Sequence, residues 1–152
     1  MSKLKILELT NYSSGICGVW QRVKQESLEL ARKGHTVKIF SSNATKGSEE
    51  IAKLSDKIGK IQIQRFHFKK LGGESFMHWD FEKKAIEYSP DIIIAHSYRH
   101  SHTLKALKVK KILDRKGKKC KVFLVTHAPF IEKNITRSLT QNLVVKFYDF
   151  FL

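Results

Sequence analysis

Most of the residues that can do chemistry fall in three short stretches, each directly after an apolar run. The first, Asn11 to Val19, reads NYSSGICGV. Gly15 and Gly18 would let the backbone come close to a ligand. A helix starting at about Gly18 would point its free N–H groups and positive dipole end into this loop, which suits a phosphate or a carboxylate. The stretch lacks both the G-x-G-x-x-G of dinucleotide sites and the Gly-Lys-Ser/Thr of a P-loop; the plain alternative is a turn with two glycines. The second stretch, His96 to His100, reads HSYRH, with His102 close by. Histidine transfers protons or donates hydrogen bonds near neutral pH, and Arg99 can clamp phosphate or carboxylate. His96 and His100 have the i, i+4 spacing of zinc ligands, but Ser97 stands where the H-E-x-x-H motif carries Glu. The plain alternative is a polar helix start with surface histidines. The third stretch, Thr126 to Phe130, reads THAPF. Its His127 would lie beside His96 if the strands before them are neighbours. Ser13 and Ser14 lack the G-x-S-x-G context of a nucleophile. Cys17, near a helix start, is open to a lowered pKa, but its surroundings match no pattern of cysteine enzymes.

These loops need strands and helices to hold them. Lys5–Leu9 reads as a buried strand. Val19–Lys33 keeps helical spacing through Val23, Leu30 and Ala31 and ends at Gly34. His35–Phe40 is a second strand, which completes a βαβ unit and a parallel pair. Residues 43–60 are polar, with either a weak helix over Ile51–Ile58 or a mobile loop. Ile61–Phe66 alternates as a third strand, and Lys69–Glu74 is a loop. Phe76–Tyr88 reads as one helix that stops before Pro90. Asp91–Ala95 is apolar enough for a central parallel strand. Ser101–Lys116 is a basic amphipathic helix, Lys121–Thr126 a fifth strand, and Ile135–Leu152 a final helix. This alternation predicts an α/β domain with a Rossmann-like, open, doubly wound parallel sheet over residues 1–152. Such sheets bind ligands at the carboxyl ends of their strands, near the point where strand order reverses. The three loops lie at those ends.

Composition narrows the classes. The chain has 152 residues, 41% hydrophobic and 28% charged, which suits one globular domain and excludes disorder as the default. Cys17 and Cys120 match no metal-ligand spacing. There is no N-terminal apolar signal region and no apolar stretch long enough for a membrane span, so a cytoplasmic, reducing setting is expected. The net charge is +15. Between Arg99 and Lys121 stand ten basic residues and one acid, Asp114. Lys105, Lys108, Lys111, Arg115 and Lys118 would form a polyanion-attracting surface for nucleic acid, lipid headgroups or phosphate-rich substrates; the alternative is a solvated helix face.

Several blocks, taken in order, resemble a known family. They are Lys5–Tyr12 (KILELTNY), Gly18–Val23 (GVWQRV), Leu30–Val37 (LARKGHTV), Asp91–Ser97 (DIIIAHS) and Val125–Phe130 (VTHAPF). The set resembles the N-terminal domain of family-four GT-B glycosyltransferases. The resemblance implies two Rossmann-like domains facing across a cleft. The N-terminal one receives a glycan or lipid-linked acceptor, and a C-terminal one, missing from this chain, binds the nucleotide-sugar donor. It implies a metal-independent hexosyl transfer with retention and no cofactor beyond the nucleotide-sugar co-substrate. It makes His127 the catalytic histidine and places Gly15 and Gly18 against the donor phosphate and sugar, although Cys17 stands where the family has a further glycine. Asn11, Tyr12, His96, Ser97, Tyr98, Arg99 and His100 would line the cleft on the acceptor side. Members often act at membranes, so the basic helix would meet anionic headgroups at the inner membrane face. The 152 residues alone should be inactive. Two alternatives stand beside this reading: a non-catalytic polyanion-binding or nucleic-acid-binding α/β domain, and the N-terminal half of a sugar-nucleotide epimerase.

Overall fold

The computed structural model describes residues 2–127. Strand β1 (Lys5–Thr10), helix α1 (Gly18–Arg32) and strand β2 (Thr36–Ser42) form the expected βαβ unit, with β1 and β2 parallel. Strands β3 (Ser55–Ile58) and β4 (Ile61–Phe66) follow, then a small hairpin of β5 (Phe68–Lys70) and β6 (Met77–Trp79). Helix α2 (Glu82–Tyr88), strand β7 (Ile92–His96), helix α3 (Ser101–Arg115) and strand β8 (Lys121–Val125) complete the described chain.

The main sheet has six strands in the order β3-β4-β2-β1-β7-β8. Every neighbouring pair is parallel except β3–β4. The chain starts in the middle at β1, moves outward one way to β2 and β4, then returns to β7 and moves outward the other way to β8. Strand order therefore reverses between β1 and β7, and it is at the carboxyl ends beside such a reversal that open α/β sheets bind ligands.

Both sheet faces are covered, so β1 is buried along nearly its whole length. On one face, Trp20 and Val23 of α1 pack on Ile6, Val37, Ile39, Ile61, Ile63 and Ile94. On the other, Ala85 of α2 and Ala106, Val109 and Leu113 of α3 pack on Leu7, Leu9, Phe40, Ile93 and Ala95. Full burial of one such aliphatic or aromatic side chain contributes about 1.5–3 kcal/mol. These two layers hold the strand ends in place.

Two elements differ from the sequence expectation. The stretch expected as a weak helix or mobile loop contains strand β3, which runs antiparallel to β4. Gly59, at φ +57°, and Lys60 make a two-residue turn, and Ile58 pairs with Ile61 across it. That is hairpin geometry, which needs a positive φ at the turn. The single helix expected over Phe76–Tyr88 divides into a short 3-10 turn (Glu74–Phe76), β6, and a helix only from Glu82. Met77 and Trp79 are buried while His78 between them is exposed, so the local period is two rather than 3.6. Trp79 lies 5.8 Å from the Phe66 ring and 4.6 Å from the Phe81 ring, and this aromatic packing outweighs helix propensity. β5 also takes up part of the segment expected as a loop from Lys69. The expected helix over Ile135–Leu152, with the turn through Pro129 and Phe130, lies outside the described residues.

Candidate active site at the strand switch point

Glu8 sits in the middle of β1 on the α1 side. Its register partners are Ile39 on β2 and Ile94 on β7, both buried. Its side chain is 0% exposed. His96 is the last residue of β7, two after Ile94, so it shares that face. Its Nε2 lies 2.7 Å from Glu8 Oε2, and its ring is also fully buried. On the far side, His96 Nδ1 lies 3.0 Å from Nε2 of His127, just beyond β8. The two imidazoles stack with centroids 5.2 Å apart. β7 and β8 are paired neighbours, and the Ser97 N–H donates to the Val125 carbonyl at 2.9 Å, which holds the two strand ends together. A chain Glu8–His96–His127 thus runs from the core to an exposed histidine beside the carboxyl ends of β7 and β8.

The charge states follow from the surroundings. Burial, reinforced by the nearby Glu26 carboxyl on α1, pushes Glu8 up to about 9. Burial brings His96 down to about 4. Desolvation, then the neighbouring His96 and Arg22, hold His127 below the usual histidine range. At neutral pH all three groups are therefore uncharged. A neutral carboxyl also fits the second oxygen, Glu8 Oε1, which is buried without a hydrogen-bond partner among the described residues; an ionised carboxylate there would be far costlier. Ligand-type atoms of Glu8, Glu26 and His96 lie within 4.8 Å of one another, close enough to surround one metal ion. The 2.7 Å hydrogen bond already joins two of them.

The loop after β7 is bent sharply. Ser97 (φ +71°) and Arg99 (φ +66°) adopt left-handed backbone, which non-glycine residues seldom do. Tyr98 and Arg99 lie against each other, the guanidinium carbon 5.1 Å from the ring centroid. His100 is partly buried, and burial lowers its pKa. His102 holds this loop from below. Its Nε2–H donates to the His96 carbonyl at 2.6 Å, and its Nδ1 lies 3.0 Å from Asn11 Oδ1.

The first loop is pinned from several sides. Asn11 is buried; its Nδ2 donates to the Glu74 carbonyl at 2.9 Å and its Oδ1 accepts from Trp79 Nε1–H at 3.3 Å. Tyr12 is also buried, under the Lys46 ammonium, which pairs with Glu74. Desolvation and Glu74 push the Tyr12 hydroxyl up to about 12. Gly15, at φ +82°, bridges to Lys46, and a Cβ there would meet the Lys46 carbonyl oxygen at 2.2 Å. Its close approach is to protein backbone, where the sequence suggested a ligand. Gly18 differs: it opens α1, and a Cβ would meet nothing within 4 Å among the described residues. The side chain of Cys17, the residue before this helix, makes no capping hydrogen bond to its first N–H groups.

Two contributors escaped the sequence reading. One is Glu8, hidden inside an apolar run. The other is Arg65, buried on β4, whose Nε and Nη2 donate to Ser13 Oγ (2.7 Å) and Ser13 O (3.0 Å). The signal for Arg65 was its inward position in the alternation Ile61, Ile63, Arg65. The basic surface divides. Lys105 engages Asp80, Glu82 and the Trp79 carbonyl, and Lys118 engages Asp91, whereas Lys108, Lys111 and Arg115 are exposed. No helix among the described residues is long and apolar enough to cross a membrane.

No curated protein matches the chain. A family model described as Glycosyltransferase Family 4 matches residues 16–151, starting within the loop that follows β1 and taking in both His96 and His127. With nearly the whole length covered, and a Rossmann-like sheet that gathers its histidines at the switch point, the chain belongs to glycosyltransferase family 4.

Proposed function

We propose that this chain is the acceptor-side, N-terminal domain of a retaining GT-B hexosyltransferase. It would move a sugar from a nucleotide-sugar to a glycan or a lipid-linked acceptor, together with a second, donor-binding domain. The observation that carries the reading is His127, exposed at the switch point and hydrogen-bonded to His96 in a family 4 chain. A departing nucleoside diphosphate gains negative charge as the glycosidic bond breaks. The start of α1 at Gly18 supplies N–H groups and a positive dipole end for it. A neutral His127 still carries one ring N–H, which it can donate to a substrate oxygen. Tyr98, Arg99 and His100, on the strained loop beside it, would contact the acceptor. Asn11 and Tyr12 act indirectly in this reading, by fixing the first loop. No metal ion enters the scheme. The protein would work in the cytoplasm, with Lys108, Lys111 and Arg115 facing anionic lipid at the membrane.

The test is donor-dependent transfer by the complete gene product. It would be incubated with a panel of UDP-, GDP- and ADP-sugars and a crude lipid and glycan extract, with residues 1–152 alone as control. Transfer by the complete protein and little by the 152 residues is expected. A well-folded complete protein that binds none of the nucleotide-sugars would overturn the reading. Sugar-nucleotide conversion without any acceptor would point to an epimerase instead.

A further inference from the structure

Glu8 lies outside the stretch that matches the family model and does not reach the surface, yet it is joined to His127 through two hydrogen bonds. We propose that Glu8 is a positioning residue: through His96 it fixes which ring nitrogen of His127 carries the proton. The proposal rests on the role given to His127 above, but its structural core can be tested without substrate.

The argument is one of hydrogen-bond direction. A neutral imidazole has one N–H and one bare nitrogen. If Glu8 Oε2 carries a proton, it donates to His96 Nε2. His96 must then hold its own proton on Nδ1 and donate it to His127 Nε2. That leaves the His127 proton on Nδ1, free to be donated to a ligand. If Glu8 is ionised, every direction reverses. His96 donates from Nε2 to Glu8, its bare Nδ1 accepts from His127 Nε2–H, and His127 Nδ1 is left bare, an acceptor instead of a donor. One buried carboxyl therefore sets the hydrogen-bonding character of an exposed ring two residues away in the chain of contacts.

The groups around Glu8 favour the first arrangement. Ile39 on β2 and Ile94 on β7 flank it and offer no hydrogen bonds. Glu26 on α1 adds a like charge, and Arg22, one turn before it on the same helix, lies 3.6 Å from Glu26 rather than pairing with Glu8. Around His127, the described ionisable neighbours are His96, Arg22 and Glu26. Desolvation first, then His96 and Arg22, disfavour a second proton on the ring against the opposing pull of Glu26, which keeps it a neutral imidazole with a single tautomer to be chosen.

The test is nitrogen-15 NMR of histidine-labelled complete protein, with His96 and His127 assigned by substitution. At pH 7 both rings should be neutral with the proton on Nδ1. Raising the pH toward 10.5 should move the proton to Nε2 on both rings in one shared transition. In Glu8→Gln, which keeps the shape but cannot ionise, both tautomers should stay constant over that range. Three results would overturn the proposal: ring signals in the native protein that do not change up to pH 10.5, a rapid mixture of tautomers at pH 7, or the same transition in Glu8→Gln. Should that variant not fold, the pH series on the native protein decides alone. No sugar donor takes part, so failure here is distinct from failure of the transfer assay. In an active enzyme, kcat should fall as pH rises through the Glu8 transition in the native protein but not in Glu8→Gln, with KM within about twofold in both.

Discussion

A carboxyl between two isoleucines is an unusual thing to place in a central strand, and Glu8 has measurable consequences for stability. Its folded-state pKa is raised to about 9 from 4.5, so across that window the folded chain keeps a proton that the unfolded chain has released. Stability therefore falls as pH rises through the window. His96 works in the opposite sense. Its folded pKa is lowered to about 4 from 6.5, so its contribution is lost as pH falls through that range. The two slopes oppose each other between pH 4.5 and 6.5, and above 6.5 that of Glu8 remains. We expect the melting temperature to decline from pH 6.5 to 9 in the native protein and to decline less in Glu8→Gln. At pH 9 the variant should be the more stable of the two. Parallel curves for the two proteins would mean that Glu8 is ionised in the fold. The meeting of His96 and His127 was legible in the sequence, because both follow apolar strands that the βαβ pattern makes neighbours. Glu8 was not: a single acid inside KILELT gives no sign of the side on which it lies or of what covers it.

At the scale of elements, the first loop shows why a glycine is a poor guide to ligands by itself. Gly15 and Gly18 look equivalent in sequence, yet one is pressed against the Lys46 backbone and the other opens a helix into space left free by the described residues. Gly15→Ala should therefore cost about 2 kcal/mol or more in stability, through its positive φ and the 2.2 Å approach to the Lys46 carbonyl. Gly18→Ala should cost far less, and its effect should fall on nucleotide-sugar binding. Chemical denaturation of both variants separates the two glycines, and equal losses would show that the loop is not packed as described. The five expected strands of the main sheet and the helices α1 and α3 were legible because their periodicity is sustained over many residues. β3, β5 and β6 were not, since strands of three or four residues carry too little pattern and depend on tertiary partners. For β6 the partners are Phe66, Phe81 and the Asn11 side chain around Trp79.

For the whole molecule, the charge of +15 is less concentrated than it looks in sequence. Lys105 and Lys118 hold α3 against α2 and the amino end of β7 through Asp80, Glu82 and Asp91. The exposed part of the patch reduces to Lys108, Lys111 and Arg115, with Lys116, Lys119 and Lys121 at the end of the same segment. If it meets anionic membranes, each basic side chain contributes about 1 kcal/mol. Replacing Lys108, Lys111 and Arg115 together by alanine should then weaken binding to phosphatidylserine vesicles roughly 100-fold at low salt. Equal binding to anionic and neutral vesicles by the native protein would remove the membrane from the account. Saturable DNA binding at physiological salt would favour a nucleic-acid role for the patch instead. Fold and family could be read from the order of the blocks, since strand order determines which loops meet. The partition of the lysines could not, because it depends on where α2 and the β5–β6 hairpin place their acids.

The central claim is that His127, held by His96 at the switch point, serves sugar transfer. The measurement that bears on it most directly is the rate of donor-dependent transfer by the complete protein carrying His127→Ala, compared with the native protein at matched folding. We predict a fall in kcat of about 100-fold or more, with nucleotide-sugar binding retained. Transfer at the native rate by the alanine variant would contradict the account.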